Sequence, residues 1–311
     1  MSQHQAPCGV LPSALLVGVG EGGSSDHAVR AGLDLGARLN AKVHVVHAVR
    51  MPLFHWMSSD PAHGPKAAEA MMRRAFEGVD EHVQALAESR PHPRKADSLR
   101  VVPGPPAAAL LEAAREQGVG WIVLGAHRKR GLVDFGSTAR AVLAKGNLPV
   151  WIQSRPLRAI GRILAPIDLS EDSLRALATA CSLAKALGAS VRALHFFDAA
   201  ALYGAAAPDP LGFVPSISIP DIRDKERSAF EAATSAFDWQ GVEHSSDFLD
   251  GDPIEGILEL SLDADLIVIG THGRTGLAPA VIGGVAHSVI KRSDRPVLAI
   301  PNPGRKFRLG A

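Results

Sequence analysis

The chain has 311 residues, which is enough for two domains of ordinary size. Its 33 lysine and arginine residues nearly balance its 32 aspartate and glutamate residues, so we expect neither nucleic acid nor an anionic membrane surface as a partner. Two cysteines, Cys8 and Cys181, exclude a disulfide scaffold and a four-cysteine zinc site.

The chain also lacks the sequence features of membrane insertion and export. No apolar run reaches the roughly 18 residues of a membrane span. The first ten residues lack a basic segment followed by an apolar one. We therefore expect a soluble, cytoplasmic protein.

Strands and helices alternate along the first half of the chain. An apolar run at 14–19 predicts a strand, and apolar residues three and four apart from Ala28 to Leu39 predict a helix. The same reasoning predicts an amphipathic helix at 66–88. Further strands are expected at 43–48, 98–102, 121–124 and 149–152.

The second half repeats the first. Leu15–Ala48 aligns with Ile163–Phe196 without a gap, at a shift of 148 residues, and WIVLGAHRKRGL (Trp121–Leu132) matches LIVIGTHGRTGL (Leu266–Leu277). We interpret the chain as two copies of one domain, 1–154 and 159–303, joined by the basic stretch Ser154–Arg162. Strands of the second copy are predicted at 162–167, 191–197, 243–249, 266–269 and 296–300, with a helix at 221–239.

Near-continuous apolar strands that alternate with helices are typical of a parallel sheet covered on both faces. Two tandem α/β units with open parallel sheets are therefore the predicted fold class. In the second copy, Asp252 and Pro253 predict one helix start. Ser170 before Glu171 and Asp172 predicts a second helix start. Its two acidic residues disfavour phosphate binding there.

Ligands of open parallel sheets bind beyond the carboxyl ends of the strands. In the second copy, Asp168 follows the first strand and the loop Gly270–Gly273 follows the fourth. Gly283 and Gly284 precede a helical run, where bare main-chain N–H groups favour an anion. Asp168 suits hydrogen bonds to ribose hydroxyls or to the polar edge of a base.

These residues resemble the universal stress protein family in its tandem two-domain form. Gly270-x-x-Gly273, nine residues and then Gly283 reproduce the spacing that the family's nucleotide-binding members carry. The resemblance implies five-stranded sheets of order 3-2-1-4-5 and binding of ATP or another adenine nucleotide, with or without Mg²⁺. By position, the nucleotide site comprises Pro166, Ile167, Asp168, Phe196, Ile269, Gly270, His272, Gly273, Gly283, Gly284 and Val285.

The chain departs from the family pattern in both copies. Gly284 replaces the usual serine or threonine, and Phe196 is bulkier than the usual aliphatic residue, so that it either stacks on adenine or partly fills the pocket. In the first copy, Gly20 stands where Asp168 stands and Arg128 replaces Gly273, although Gly136-Ser137 is kept. We expect the first copy to be structural or regulatory.

Structural interpretations stay open beside the functional ones. The four glycines are also compatible with turns and helix packing, and Asp168 with a helix cap. His47 and His195 are predicted as buried, hydrogen-bonded residues rather than catalytic bases, and Cys181 as a core residue. The segment 199–220 is either a flap over the second site, a partner-contact surface or a disordered connector.

The leading hypothesis is a stress-response sensor or adaptor that binds an adenine nucleotide in its second domain. No Ser-His-Asp order, paired carboxylate, Walker lysine or metal-ligand spacing supports catalysis or a metal site. A slow ATP hydrolase or nucleotidyl-transfer enzyme and a ligand-free interaction scaffold are the alternatives. Because the fifth strands are expected at sheet edges, we also predict an internal pseudo-dimer of the two domains, and a homodimer of the chain stays open.

Overall fold

A computed structural model describes residues 11–20, 25–50, 64–90, 94–129, 132–134, 136–205, 218–273 and 282–302. It contains two compact units. The first unit comprises Leu11–Arg158 together with the segment that begins at Pro296, and the second comprises Ala159–Arg295.

The first unit alternates strands and helices. Its elements are β1 (Ala14–Val19), α1 (Asp26–Arg38), β2 (Lys42–Val49), α2 (Pro65–Glu88), β3 (Ser98–Pro103), α3 (Pro106–Glu116), β4 (Trp121–Gly125), β5 (His127–Lys129), β6 (Leu132–Asp134), α4 (Gly136–Lys145) and β7 (Val150–Gln153).

The main sheet of the first unit has the order β3-β2-β1-β4-β7, and all of these neighbours are parallel. This is the order 3-2-1-4-5 that the family resemblance implies. Every residue of β1 is buried, which requires cover on both faces of the sheet. The short antiparallel hairpin β5–β6 was not predicted from the sequence.

The second unit repeats this plan. Its elements are β8 (Arg162–Pro166), α5 (Glu171–Leu187), β9 (Ser190–Phe197), α6 (Ala199–Ala205), α7 (Ile219–Ala236), β10 (His244–Asp250), α8 (Pro253–Leu260), β11 (Leu266–Gly270) and α9 (Gly284–Arg292). Its strands follow the order β10-β9-β8-β11 and are parallel.

The last strand of the chain, β12 (Val297–Ile300), belongs to the first unit and pairs antiparallel with β7. The two strands predicted as the fifth of each copy therefore pair with each other. The pseudo-dimer itself stays a prediction.

The predicted helix starts of the second unit are confirmed. Ser170 Oγ accepts the N–H of Ser173 at the start of α5. Asp252 Oδ1 accepts the N–H groups of Ile254 and Glu255 at the start of α8, at 2.7 and 3.0 Å. These caps fix where each helix leaves the edge of the sheet, and so they position the loops that surround the ligand cavity.

Candidate functional site

A cavity of about 510 Å³ lies at the carboxyl ends of the second unit's strands. Its walls come from the ends of β8, β9 and β11, from α6, α7 and α8, and from the first turn of α9. Every residue that the sequence assigned to the nucleotide site lines this cavity: Pro166, Ile167, Asp168, Phe196, Ile269, Gly270, His272, Gly273, Gly283, Gly284 and Val285. Parallel strands end at one edge of the sheet, which is why distant segments meet here.

Asp168 is held in place by a short turn after β8. Its main-chain N–H donates to Ser173 Oγ at 3.2 Å, and the N–H and hydroxyl of Ser170 both donate to Asp168 Oδ1. Leu169 between them takes a left-handed conformation, with φ of 67°. Ser170 caps the helix, and Asp168 orients that capping residue, so its first carboxylate oxygen is engaged locally.

The second carboxylate oxygen of Asp168 lies against the glycine loop. A Cβ atom added to Gly273 would approach Asp168 Oδ2 to 2.6 Å, which is closer than real Cβ contacts allow. The carboxylate and the bare main chain of residue 273 therefore form one tightly fitted corner of the cavity.

The other glycines have different physical roles. A Cβ on Gly270 would lie 2.9 to 3.1 Å from the main chain of Asp172 and Ser173, so Gly270 allows β11 to pack closely on α5. Gly283 donates its N–H to the carbonyl of Thr271 at 2.8 Å, which ties the start of α9 to the loop after β11. The residues 274–281 between these points lie outside the described part of the chain.

Gly284 is the first residue of α9 and has open space around it. Apart from its chain neighbours and its own helix, no described residue has an atom within 4 Å of the position of a Cβ atom there. The helix packing proposed as an alternative role therefore applies to Gly270, whereas Gly284 leaves the first turn of α9 open to the cavity. Main-chain N–H groups in the first turn of a helix have no partner within the helix and attract anions.

Phe196 lies in the cavity wall and rests on α8. Its ring atoms Cε1 and Cζ overlap the position that a Cβ atom on Gly256 would take. The ring thus uses the space that a side chain on Gly256 would take. The cavity of about 510 Å³ persists beside it.

His195 is buried next to the cavity, as predicted. Its Nδ1 lies 2.9 Å from the carbonyl of Ile167, and its Nε2 lies 3.2 Å from Glu226 Oε2. A carbonyl only accepts, so Nδ1 donates to Ile167. The imidazole and the Glu226 carboxyl group contact each other in the cavity wall, and the ring of Phe248 stacks on the imidazole at 5.2 Å.

Three carboxyl groups line this cavity: those of Asp168, Asp198 and Glu226. No described lining residue is a lysine or arginine. The sequence did not single out Asp198, although it stands only two residues after Phe196. It gave no signal for Glu226 either, because α7 belongs to a segment whose sequence is not repeated in the first copy.

The helix α6 also lines the cavity, through Ala201 and Leu202. Asp198 Oδ1 accepts the N–H of Ala201 at 3.0 Å and so begins this helix. The start of the segment predicted as a flap or a connector is thus helical and in contact with the cavity, and its residues 206–217 lie outside the described ones.

The first unit has a cavity of about 450 Å³ at the corresponding edge of its sheet. Ser25 Oγ accepts the N–H of Gly20 at 3.1 Å, as Ser173 does for Asp168. His47 Nδ1 contacts the carbonyl of Val19 at 2.9 Å, as His195 does with Ile167. The main chain of Arg128, which replaces Gly273, lies in β5.

A model of the universal stress protein family matches residues 13–153 and again residues 159–301. The chain belongs to the universal stress protein family. A universal stress protein of Methanocaldococcus jannaschii is 31% identical over 147 residues, which are 47% of this chain and 84% of that protein. The stress response protein NhaX of Bacillus subtilis is 29% identical over 162 residues, which are 45% of this chain and 96% of that protein.

Solved structures show the same fold over nearly the whole chain. A universal stress protein from Archaeoglobus fulgidus matches with a TM-score of 0.66 and 18% identity, and the match covers 94% of this chain and 99% of that one. None of the described helices is long and apolar enough to cross a membrane. Within the same described residues, no group of three or more histidine, cysteine, aspartate or glutamate residues could hold a metal ion.

Proposed function

We propose that the second unit of this universal stress protein binds an adenine nucleotide and acts as a stress-response sensor or adaptor. The observation that carries the proposal is the close fit between the Asp168 carboxylate and the bare main chain of Gly273, in a cavity that also receives the first turn of α9. The carboxylate would accept hydrogen bonds from two ribose hydroxyls, and the helix start would receive phosphate oxygens.

The geometry supports this orientation of the nucleotide. Gly284 leaves the start of α9 bare, and the acidic start of α5, with Glu171 and Asp172, disfavours phosphate at the other helix. The apolar wall formed by Ile167, Ile257 and Phe196 gives the base a surface for stacking or packing. The base would therefore lie towards β9 and α8, with the phosphates at α9.

The carboxylates of the cavity affect how tightly a negatively charged nucleotide binds. Among the described lining residues, three carry carboxyl groups and none is a lysine or arginine, and these carboxylates repel a polyphosphate. Mg²⁺ would lower the charge of the bound polyphosphate. We expect ATP to bind more tightly with Mg²⁺ than without it.

Binding without rapid turnover is part of the proposal. Asp168 Oδ1 is engaged by Ser170, and the Glu226 carboxyl group contacts His195 Nε2, so both groups already serve local contacts. A hydrolase would need a group that orients water at the terminal phosphate. Near Gly283, the described lining residues with polar side chains are Thr271 and His272, and His272 Nδ1 already contacts Thr271 Oγ1 at 3.0 Å and Asp172 Oδ2 at 3.5 Å.

Titration calorimetry of the full chain with ATP and Mg²⁺ tests the proposal. We expect saturable binding that Asp168→Asn weakens at least about tenfold, because a neutral amide is a poorer acceptor for ribose hydroxyls. Asp263→Asn removes an exposed carboxylate outside the cavity and should leave the affinity unchanged.

The other outcomes separate the alternatives. Steady phosphate release at a rate that Asp168→Asn reduces would favour the hydrolase. The absence of heat at millimolar ATP, ADP and AMP would favour a ligand-free scaffold and contradict the proposal. Co-purified nucleotide, seen by native mass spectrometry, would support it directly.

A further inference from the structure

A carboxyl group on α7 lies beside the surface on which the base is expected to pack. Glu226 lines the second cavity together with Ile167 and Phe196. Two contacts connect it to that surface, because the carbonyl of Ile167 lies 2.9 Å from His195 Nδ1 and Glu226 Oε2 lies 3.2 Å from His195 Nε2. A single imidazole ring therefore separates the carboxyl group from the apolar wall at Ile167.

The imidazole ring that contacts this carboxyl group is itself held in place. The His195 side chain is 3% exposed, and the rings of Phe248 and Phe230 lie 5.2 and 5.7 Å from it. The Glu226 side chain is 24% exposed, so the carboxyl group is partly shielded from water and still reaches the cavity. A polar group that is already positioned loses little entropy when a ligand binds to it, and so it favours the ligand that fits it.

The contact with His195 uses one oxygen of the Glu226 carboxyl group. An ionised carboxyl group has about four lone-pair positions on its two oxygens, so it can accept a further hydrogen bond from a ligand. Purine bases differ at position 6, where adenine has an amino group and hypoxanthine and guanine have a carbonyl oxygen. A carboxylate accepts a hydrogen bond from the amino group and repels the carbonyl oxygen.

The other two carboxyl groups of the cavity are placed for different contacts. Asp168 lies against Gly273, in the corner that we assign to the ribose. Asp198 Oδ1 accepts the N–H of Ala201 and begins α6. Of the three carboxyl groups, Glu226 is the one that an imidazole connects to the apolar wall for the base.

We propose that Glu226 determines the base specificity of the second cavity by accepting a hydrogen bond from the 6-amino group of adenine. The inference rests on the proposed binding of a nucleotide and names the group that distinguishes adenine from the 6-oxo purines. It concerns the base end of the cavity, away from the phosphates at α9. It therefore predicts selectivity between bases rather than a general change in affinity.

Titration calorimetry of the full chain with three triphosphates and Mg²⁺ tests this role. The ligands are ATP, purine riboside triphosphate, which lacks only the amino group, and ITP, which has a carbonyl oxygen in its place. We expect ATP to bind at least about tenfold more tightly than purine riboside triphosphate, because a hydrogen bond to a charged group is lost. ITP should bind more weakly still, because its carbonyl oxygen meets a second acceptor.

Glu226→Gln should reduce the preference for ATP over ITP at least about fivefold, because an amide can accept from an amino group and donate to a carbonyl. Its affinity for purine riboside triphosphate should stay near the wild-type value, which also shows that the cavity is intact. Glu231→Gln is the matched control. It changes a 62% exposed side chain on the same helix outside the cavity lining and should keep the preference.

Glu226→Ala keeps the test decisive if glutamine takes over the contacts of the native residue, and it should bind ATP and purine riboside triphosphate equally. Equal affinity of the wild-type chain for these two ligands would overturn the role of Glu226 while nucleotide binding itself held. So would a preference for ATP that persisted in Glu226→Ala, or one that Asp198→Asn removed instead. If none of the three triphosphates bound, the proposed function would fail together with this inference.

Discussion

The two units share a framework and differ in the cavity that it surrounds. In both, a serine hydroxyl accepts an N–H just beyond the first strand, at 3.1 Å for Gly20 and 3.2 Å for Asp168. In both, a buried histidine on the second strand contacts a carbonyl of the first strand's end at 2.9 Å. These hydrogen bonds fix the first two strands and the following helix without touching a ligand.

Some of the residues that differ lie against each other in the second unit. The second unit combines Asp168 with Gly273, and the aligned positions of the first unit hold Gly20 and Arg128. A carboxylate at one position leaves room only for glycine at the other, so both residues of the pair differ between the units. The framework has thus been retained while the charge and shape of each cavity diverged.

A single substitution should make the second cavity resemble the first. Gly273→Arg places a side chain where its Cβ atom would lie 2.6 Å from Asp168 Oδ2. We expect ATP affinity to fall at least about 100-fold, which corresponds to about 2.7 kcal/mol, because the carboxylate must move or pair with the new guanidinium. Titration calorimetry measures this loss.

Arg128→Gly in the first unit is the matched control for that experiment. It changes the equivalent position, leaves the second cavity intact and should not alter ATP affinity. If both variants bound ATP like the wild-type chain, the Asp168–Gly273 corner would have no part in nucleotide binding.

A second pair of residues distinguishes the units and sets the position of Phe196. Ala48 aligns with Phe196, and Ala109 occupies the position of Gly256 on the following helix. We expect Gly256→Ala to destabilise the fold by about 1–3 kcal/mol, because the new methyl group overlaps the Phe196 ring. Urea unfolding measures this change.

The double variant Phe196→Ala with Gly256→Ala recreates the pairing of the first unit. Removal of the ring relieves the overlap, so the free-energy cost of Gly256→Ala should nearly vanish in the Phe196→Ala background. If the two substitutions had additive effects, the contact between the Phe196 ring and α8 would not explain why Gly256→Ala destabilises the fold.

Much of the second cavity was predictable because it depends on local pattern and topology. Buried apolar strands predicted a parallel sheet, and the carboxyl ends of such strands meet at one edge, which brings Asp168 near Gly273 although 105 residues separate them. In the first unit, Gly20 and the start of α4, which the repeat aligns with Asp168 and the start of α9, also line a cavity.

The parts that were not predicted depend on contacts between elements or on elements too short to show a pattern. Glu226 reaches the cavity from α7, and the register of this helix on the sheet depends on packing by Phe230 rather than on a motif. The contact between Phe196 and Gly256 joins strand and helix across 60 residues, and no spacing rule indicates it. The hairpin β5–β6 begins within the repeated stretch Trp121–Leu132, but its strands of three residues are too short for an alternating pattern to indicate them.

Because the two units share this framework, equivalent substitutions should reduce the free energy of unfolding by equal amounts. Ser25→Ala and Ser173→Ala each remove the acceptor for the N–H group after the first strand. Each should destabilise the chain by about 1 kcal/mol, the usual value for such a hydrogen bond, as measured by urea unfolding. Ser173→Ala should also weaken ATP binding because Asp168 loses its support, and Ser25→Ala should not. Equal effects on ATP affinity would contradict the division of roles between the units.

The smallest expected effect concerns the ends of the third strands. β10 ends at Asp250, whose carboxylate binds both Nε and Nη2 of Arg223 at 2.7 and 2.6 Å, whereas β3 ends at Pro103. The hydrogen bonds from Arg223 lower the pKa of Asp250 below its ordinary value near 3.8. The folded chain therefore holds Asp250 ionised at a pH where the unfolded chain would protonate it, and the stabilisation is present above about pH 4 and lost as the pH falls through the lowered value.

Asp250→Asn should therefore reduce the free energy of unfolding at pH 7 by less than about 1 kcal/mol, since the pair is solvent-exposed and screened. The difference from the wild-type chain should shrink in urea unfolding below pH 4, where the wild-type carboxylate also takes up a proton. Asp263→Asn, an exposed carboxylate in no ion pair with a described residue, should show no such pH dependence. A difference that grew on acidification would reverse the sign of the argument, because it would mean that Asp250 is easier to protonate in the folded chain than in the unfolded one.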